Sequence, residues 1–245
     1  MSANPSASER TRAVRAGLSA VGLWIVIEFG IRDVAWRAFV WAAERSGRRL
    51  GSGELMTLNA ALLWPALVVL GLAFLWLKRR EGLSWSALGY RPWRSAILTG
   101  IISLIVIWGL SLGASALTVH LLGTGKEQRF MDAMRAAGLP MMLVTMLPAN
   151  GILGPMVEEL AWRGYIQTHL IRGWGLRSGI VVTAVLFALK HVIVDFSFYR
   201  ILILLAGGVA LGITGYRWGT SASTIAHVLL NSLATVSAML EIWHQ

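Results

Sequence analysis

Three short stretches of the sequence set ionisable side chains among apolar neighbours at spacings that could run acid–base chemistry. Glu158, Glu159 and Arg163 lie in GPMVEELAWRGY, Phe187 and His191 in FALKHVIVD, and His227 and Asn231 in IAHVLLN. Residues four apart stack on one helix face, so Glu159 is expected to pair with Arg163, while Glu158, turned by about 100°, points elsewhere. One carboxylate is then neutralised and the other left free. A carboxylate without a counter-charge in a low-dielectric site binds a proton more avidly, which suits a general base working near neutral pH. His227 and Asn231, one turn apart, present an imidazole and an amide to the same point, a pair of donors suited to a developing oxyanion. His191 follows Phe187 at the same interval and is placed to orient a water held by Glu158 or to share its proton.

Each of these residues also has a purely structural reading. Glu159 and Arg163 suit an intramembrane ion pair better than direct participation, and a lone His or Asn at membrane depth is as often interhelical hydrogen-bond glue as chemistry. That reading weakens because two carboxylates, two imidazoles and an amide fall on three helices close in sequence. Lys190 and Asp195 flank a short apolar run and are expected to snorkel to the interface. His120, His169 and His244 fall at span ends or the terminus and read as interfacial. Glu28, near the end of the first apolar run, has no role in this reading.

The elements that must carry these groups are membrane spans. With 56% hydrophobic and 14% charged residues among 245, and a mean hydropathy of +0.64, the chain is no ordinary soluble protein. An ionisable side chain at bilayer depth costs at least about 2.5–3.5 kcal/mol, so those in the last four spans are functional candidates by default. The apolar runs predict an all-α, polytopic integral membrane bundle of about seven spans: Ala16–Ile31, Leu55–Leu77, Ser95–Leu122, Met141–Leu170, Gly179–Val194, Ile201–Tyr216 and Ser221–Ile242. An interfacial helix is expected over Val34–Ala43, where Trp36, Phe39 and Trp41 mix with Arg37, and a polar connection over Gly123–Pro140. Residues 1–140 read as a tail with three spans and residues 141–245 as a core of four. The net charge of +10 is met by anionic lipid headgroups rather than nucleic acid. With no Cys, disulfides, thiolate catalysis and Cys-ligated metals are excluded. The basic start reads as an uncleaved anchor, and a slight Lys/Arg excess favours a cytoplasmic N-terminus, with composition suited to a bacterial inner membrane.

In order and in internal spacing, Glu158-Glu159-x-x-x-Arg163, Phe187-x-x-x-His191 and His227-x-x-x-Asn231 resemble the three-motif signature of the CPBP family, the CAAX prenyl proteases and bacteriocin-processing enzymes. LGYRP at Leu88–Pro92 is only faintly similar to the family's N-terminal half. The resemblance implies an intramembrane endopeptidase in which Glu158 and His191 activate water, His227 and Asn231 stabilise the oxyanion, and Glu159 and Arg163 hold the site together. Its partners would be a peptide or membrane-protein substrate and the bilayer. A metal-free mechanism is favoured, with zinc on Glu158, His191 and His227 as second choice, because the HExxH helix of zinc proteases is missing. No GxGD motif, rhomboid-like GxS turn or Schiff-base lysine in the last span supports another class. A non-catalytic binding, immunity or scaffold protein on the same fold is the runner-up, and a proton-coupled transporter the third reading. The substrate, recognition of a prenyl group and the oligomeric state are not legible in the sequence.

Overall fold

The structure is a computed structural model that describes residues 6–123, 125–195 and 198–244, without the side chains at 125–130 and 195. The snorkelling expected of Asp195 therefore lies outside the described residues. Every described element is helical. In chain order they are α1 (Ala7–Glu28), a π-helical turn (Phe29–Val34), α2 (Ala35–Arg45), α3 (Ser52–Arg80), α4 (Trp93–Leu122), α5 (Gly125–Ala137) and α6 (Leu139–Met141). A π-helical segment (Met142–Leu153), α7 (Gly154–Glu158) and a further one (Glu159–Gln167) follow, then α8 (Thr168–Trp174), α9 (Leu176–Asp195), α10 (Ile201–Trp218) and α11 (Thr220–Trp243).

Seven of the resulting helical stretches are long and apolar enough to cross a membrane: Ala7–Arg45, Ser52–Arg80, Trp93–Leu122, Leu139–Trp174, Leu176–Val194, Ile201–Trp218 and Thr220–Trp243. The chain is a polytopic helical membrane protein. Six of the spans match the predicted ones to within about four residues at each end, and the first, expected over Ala16–Ile31, belongs to a longer stretch; capping residues are polar and invisible to an apolar window. Ser6, for example, accepts from Glu9 N (3.2 Å) while Glu9 accepts from Ser6 N (2.7 Å), starting α1 well before its apolar run. The segment expected to lie in the interface forms α2, which continues α1 through the π turn, buries no residue and leaves Phe39 and Trp41 exposed. The polar connection over Gly123–Pro140 is largely helical. It holds α5, which packs on α3 and buries Met134 beside Ala60 and Met239.

The core that positions the candidate residues is aromatic. Trp24 of α1 meets Phe74 of α3 and Trp162 of the second π segment, both at 5.9 Å, and Trp162 stands edge-on to Phe187 of α9 at 5.4 Å. Phe187 in turn meets the His191 ring at 4.8 Å. Edge-to-face contacts of this kind hold ring orientations as well as bury area. The other side is fixed by the LGYRP loop, which clasps the start of α11. Thr220 N donates to Gly89 O (2.8 Å), Thr220 Oγ1 to Leu88 O (2.6 Å), and Arg91 N to Ser221 Oγ (2.9 Å). The approach demands glycine at Gly219, whose φ is +96° and whose added Cβ would lie 2.6 Å from Gly89 O.

Gly219→Ala is therefore expected to lose the backbone cost of about 1–3 kcal/mol and a further steric cost at the clasp. Gly47→Ala, at φ +79° with open space around it, carries only the first. Thermal unfolding of the purified variants in detergent should show the larger drop in melting temperature for Gly219→Ala; equal drops would mean that the junction yields freely.

Candidate active site

The fourth span is wound unusually around its acidic pair. Glu158 ends a single α-helical turn between two π-helical segments, and Glu159 opens the second of them. The local sequence explains this. Pro148 and Pro155 have no N–H to give to the helix ladder, and Gly154 lets the chain close so tightly that a Cβ there would meet Ala149 O at 2.9 Å. The helix is thereby loosened into wide turns, a form that is frequent at functional sites.

The adjacent carboxylates face different surroundings. Glu159 is fully buried, with Oε1 3.1 Å from Arg163 and 2.9 Å from His227 Nδ1. The i, i+4 ion pair is present, and the guanidinium also lies 4.6 Å over the Phe187 ring. Glu158 keeps 13% of its side chain exposed. It is not free of cations, as the spacing suggested: Lys190 Nζ lies 2.7 Å from its Oε1. Lys190 does not snorkel either. It is 1% exposed and turns inward, reaching Glu28 Oε2 at 3.4 Å on its other side. The reason is mutual, since two buried carboxylates need a cation and a buried ammonium needs anions. Glu28 thereby acquires a place in the structure, holding Trp24 Nε1 (2.6 Å) and Arg32 (3.0 Å) as well.

Both imidazoles turn the same ring atom toward Glu158. His191 Nδ1 is 2.9 Å from Phe187 O, and His227 Nδ1 is 2.9 Å from the Glu159 carboxylate. Each of these oxygens accepts only, so each Nδ1 carries the proton. The Nε2 atoms are thus lone-pair sites in the neutral rings. His191 Nε2 stands 3.8 Å from Glu158 Oε1, and His227 Nε2 stands 3.8 Å from Glu158 Oε2. Those separations exceed a direct hydrogen bond but leave room for one water to touch a carboxylate oxygen and an imidazole together.

Asn231 lies one turn beyond His227 on α11 and donates Nδ2 to Asn150 O at 3.1 Å, which ties α11 to the first π segment. One of its two N–H groups is spent there. Tyr90, in the LGYRP loop, is a neighbour that motif spacing did not single out. Burial first, and the nearby Glu159 charge second, push its phenol well above the ordinary range against a hydrogen bond with Thr224, so it stays neutral. His169, near a span end, is buried among protein groups, with Nε2 3.1 Å from Glu81 and Nδ1 2.8 Å from Tyr165 O. His120 and His244 are exposed.

The similarity to a known family lies in the last four spans. Residues 140–233 match the family model of the type II CAAX prenyl endopeptidase Rce1-like proteins. That segment runs from α6 into α11 and holds all three motifs, in agreement with the CPBP resemblance. The Rce1-like family implies a peptidase acting in the membrane. No curated protein and no solved structure matches the chain. Zinc does not fit the residues as they stand. Among the described residues no group of three His, Cys, Asp or Glu is arranged to hold a metal ion, and the Lys190 ammonium already occupies Glu158 Oε1.

Arg163→Met leaves the buried Glu159 carboxylate without its cation. A loss of about 3–5 kcal/mol is expected, and adding Glu159→Gln should recover much of it. Melting temperatures of the single and double variants measure this. A double variant no more stable than Arg163→Met would show that Arg163 contributes by packing on Phe187 rather than by charge.

Proposed function

We propose that this protein is a glutamate-dependent intramembrane endopeptidase that cleaves a peptide or membrane-protein substrate without a metal. The reading rests on one observation, the partly exposed Glu158 carboxylate set between two imidazole Nε2 atoms at 3.8 Å each. A water in this space donates one hydrogen to Glu158 and the other to an Nε2 lone pair, leaving its oxygen aimed at an incoming carbonyl carbon. As the carbon–oxygen bond forms, Glu158 takes the proton and the carbonyl oxygen becomes an oxyanion. His227 enters this step as the imidazolium, its Nε2 proton taken from solvent beforehand and its charge balanced by Glu159 at Nδ1, and donates to that oxyanion, while the second hydrogen of the water goes to His191 Nε2. The second N–H of Asn231 is the other proposed donor. Collapse breaks the carbon–nitrogen bond, and the proton held on Glu158 passes to the departing amine. His191, anchored to Phe187 O, keeps the water in line.

Membrane burial suits this chemistry because few waters compete for the site. Glu159 and Arg163 act as support, since both are closed off from the space next to Glu158. The Rce1-like match supports the peptidase class and a peptide substrate.

Cells carrying wild-type or Glu158→Gln protein should differ by a set of new peptide termini, present with the wild type and absent with the variant. Quantitative profiling of termini reads this directly, with equal amounts of folded protein checked by size-exclusion chromatography. Identical termini would exclude the glutamate as base. Cleavage of a peptide spanning such a junction is expected to persist after exhaustive chelation; activity that disappears and returns with zinc would reverse the choice of a metal-free mechanism.

A further inference from the structure

Lys190 is the residue that the general-base reading leaves without a task, although burying an ammonium is costly. A long ammonium is taken fully out of solvent and laid between the rings of Trp24 (5.0 Å) and Phe187 (5.5 Å). Its head joins two carboxylates on different helices, Glu158 at 2.7 Å and Glu28 at 3.4 Å. Glu28 is itself held by Trp24 Nε1 and by Arg32, and Arg32 reaches Asn59 Oδ1 of α3 at 3.0 Å. A lysine kept only to tie α9 to α1 would need Glu28 alone. This one reaches past that partner to the carboxylate between the imidazoles, and its contact there is the shorter.

We propose that Lys190, anchored by Glu28 of α1, is a positioning residue for the Glu158 base. It supplies the counter-charge an ionised carboxylate needs at this depth. It also makes the two oxygens unequal, holding Oε1, the one next to His191, and leaving Oε2, which faces His227, without a cation. The inference rests on Glu158 being the base and extends that reading in one respect. The site is completed by α1, outside residues 140–233 that carry the three motifs. Lys190 touches no substrate; it acts through Glu158.

The full-length protein, purified in detergent, would be assayed with a quenched fluorescent peptide spanning a junction lost in Glu158→Gln cells. Lys190→Met is expected to lower kcat by more than about 100-fold, and Glu28→Gln by about tenfold, with KM within about twofold of wild type in both. Lys190→Arg should restore part of the rate, because a cation is again present. The Glu28→Gln, Lys190→Met double variant should be no slower than Lys190→Met, since both changes act through one ammonium. Wild-type kcat in folded Glu28→Gln and Lys190→Met, or a loss confined to melting temperature, would overturn the proposal. If Lys190→Met does not fold, Glu28→Gln decides alone by the same criterion. Undiminished cleavage by Glu158→Gln is a separate result: it removes the base itself and the positioning role with it.

Discussion

A charge inside hydrocarbon must be met by an opposite charge, and the architecture around Glu158 follows from that constraint. Arg32, Glu28, Lys190 and Glu158 alternate in sign from α1 to α7, and Glu159 and Arg163 form a second, closed pair. Three cations balance three anions while the imidazoles are neutral. Phe187 sits where the two groups approach each other, with the Arg163 and Lys190 cations over its ring and the two histidines against it. An aromatic ring attracts cations through its face without adding a charge to the balance. The Phe of the second motif is thereby part of the electrostatics as well as of the packing.

Division of labour between neighbouring carboxylates comes from geometry rather than from residue type. Glu158 and Glu159 are consecutive and chemically identical, yet one is closed in by Arg163 and His227 and the other opens toward solvent with a cation on a single oxygen. The histidines are sorted in the same way. A backbone carbonyl and a carboxylate each claim one Nδ1 proton, which fixes both rings with Nε2 toward Glu158. None of this requires the side chains to move before a substrate arrives.

Much of this arrangement is written locally and some of it is not. The seven spans follow from apolar run length, and the Glu159–Arg163 pair from the i, i+4 period, because both are decided within one helix. Lys190 was expected to snorkel and Glu158 to stand without a cation because their partnership spans two helices, and no spacing rule reaches that far. Glu28 was opaque for the same reason: its meaning lies 162 residues away. The contact of His169 with Glu81 was out of reach because a position near a span end says nothing of the end of a neighbouring helix. The helix at Gly125–Ala137 was hidden by its polarity, which masks the methionines that seat it on α3.

The wide turns on either side of Glu158 carry a consequence for how this span tolerates length change. Each widened turn accommodates a surplus residue, and a helix that sheds one residue rotates everything beyond it by about 100°. In an evenly wound span a single-residue deletion would be carried intact to the far end. Here the slack lies on both sides of the acidic pair, at Met142–Leu153 and Glu159–Gln167. The orientation of two carboxylates is thus partly uncoupled from the register of the helix that bears them, and the flanks can drift in length while the pair keeps its heading.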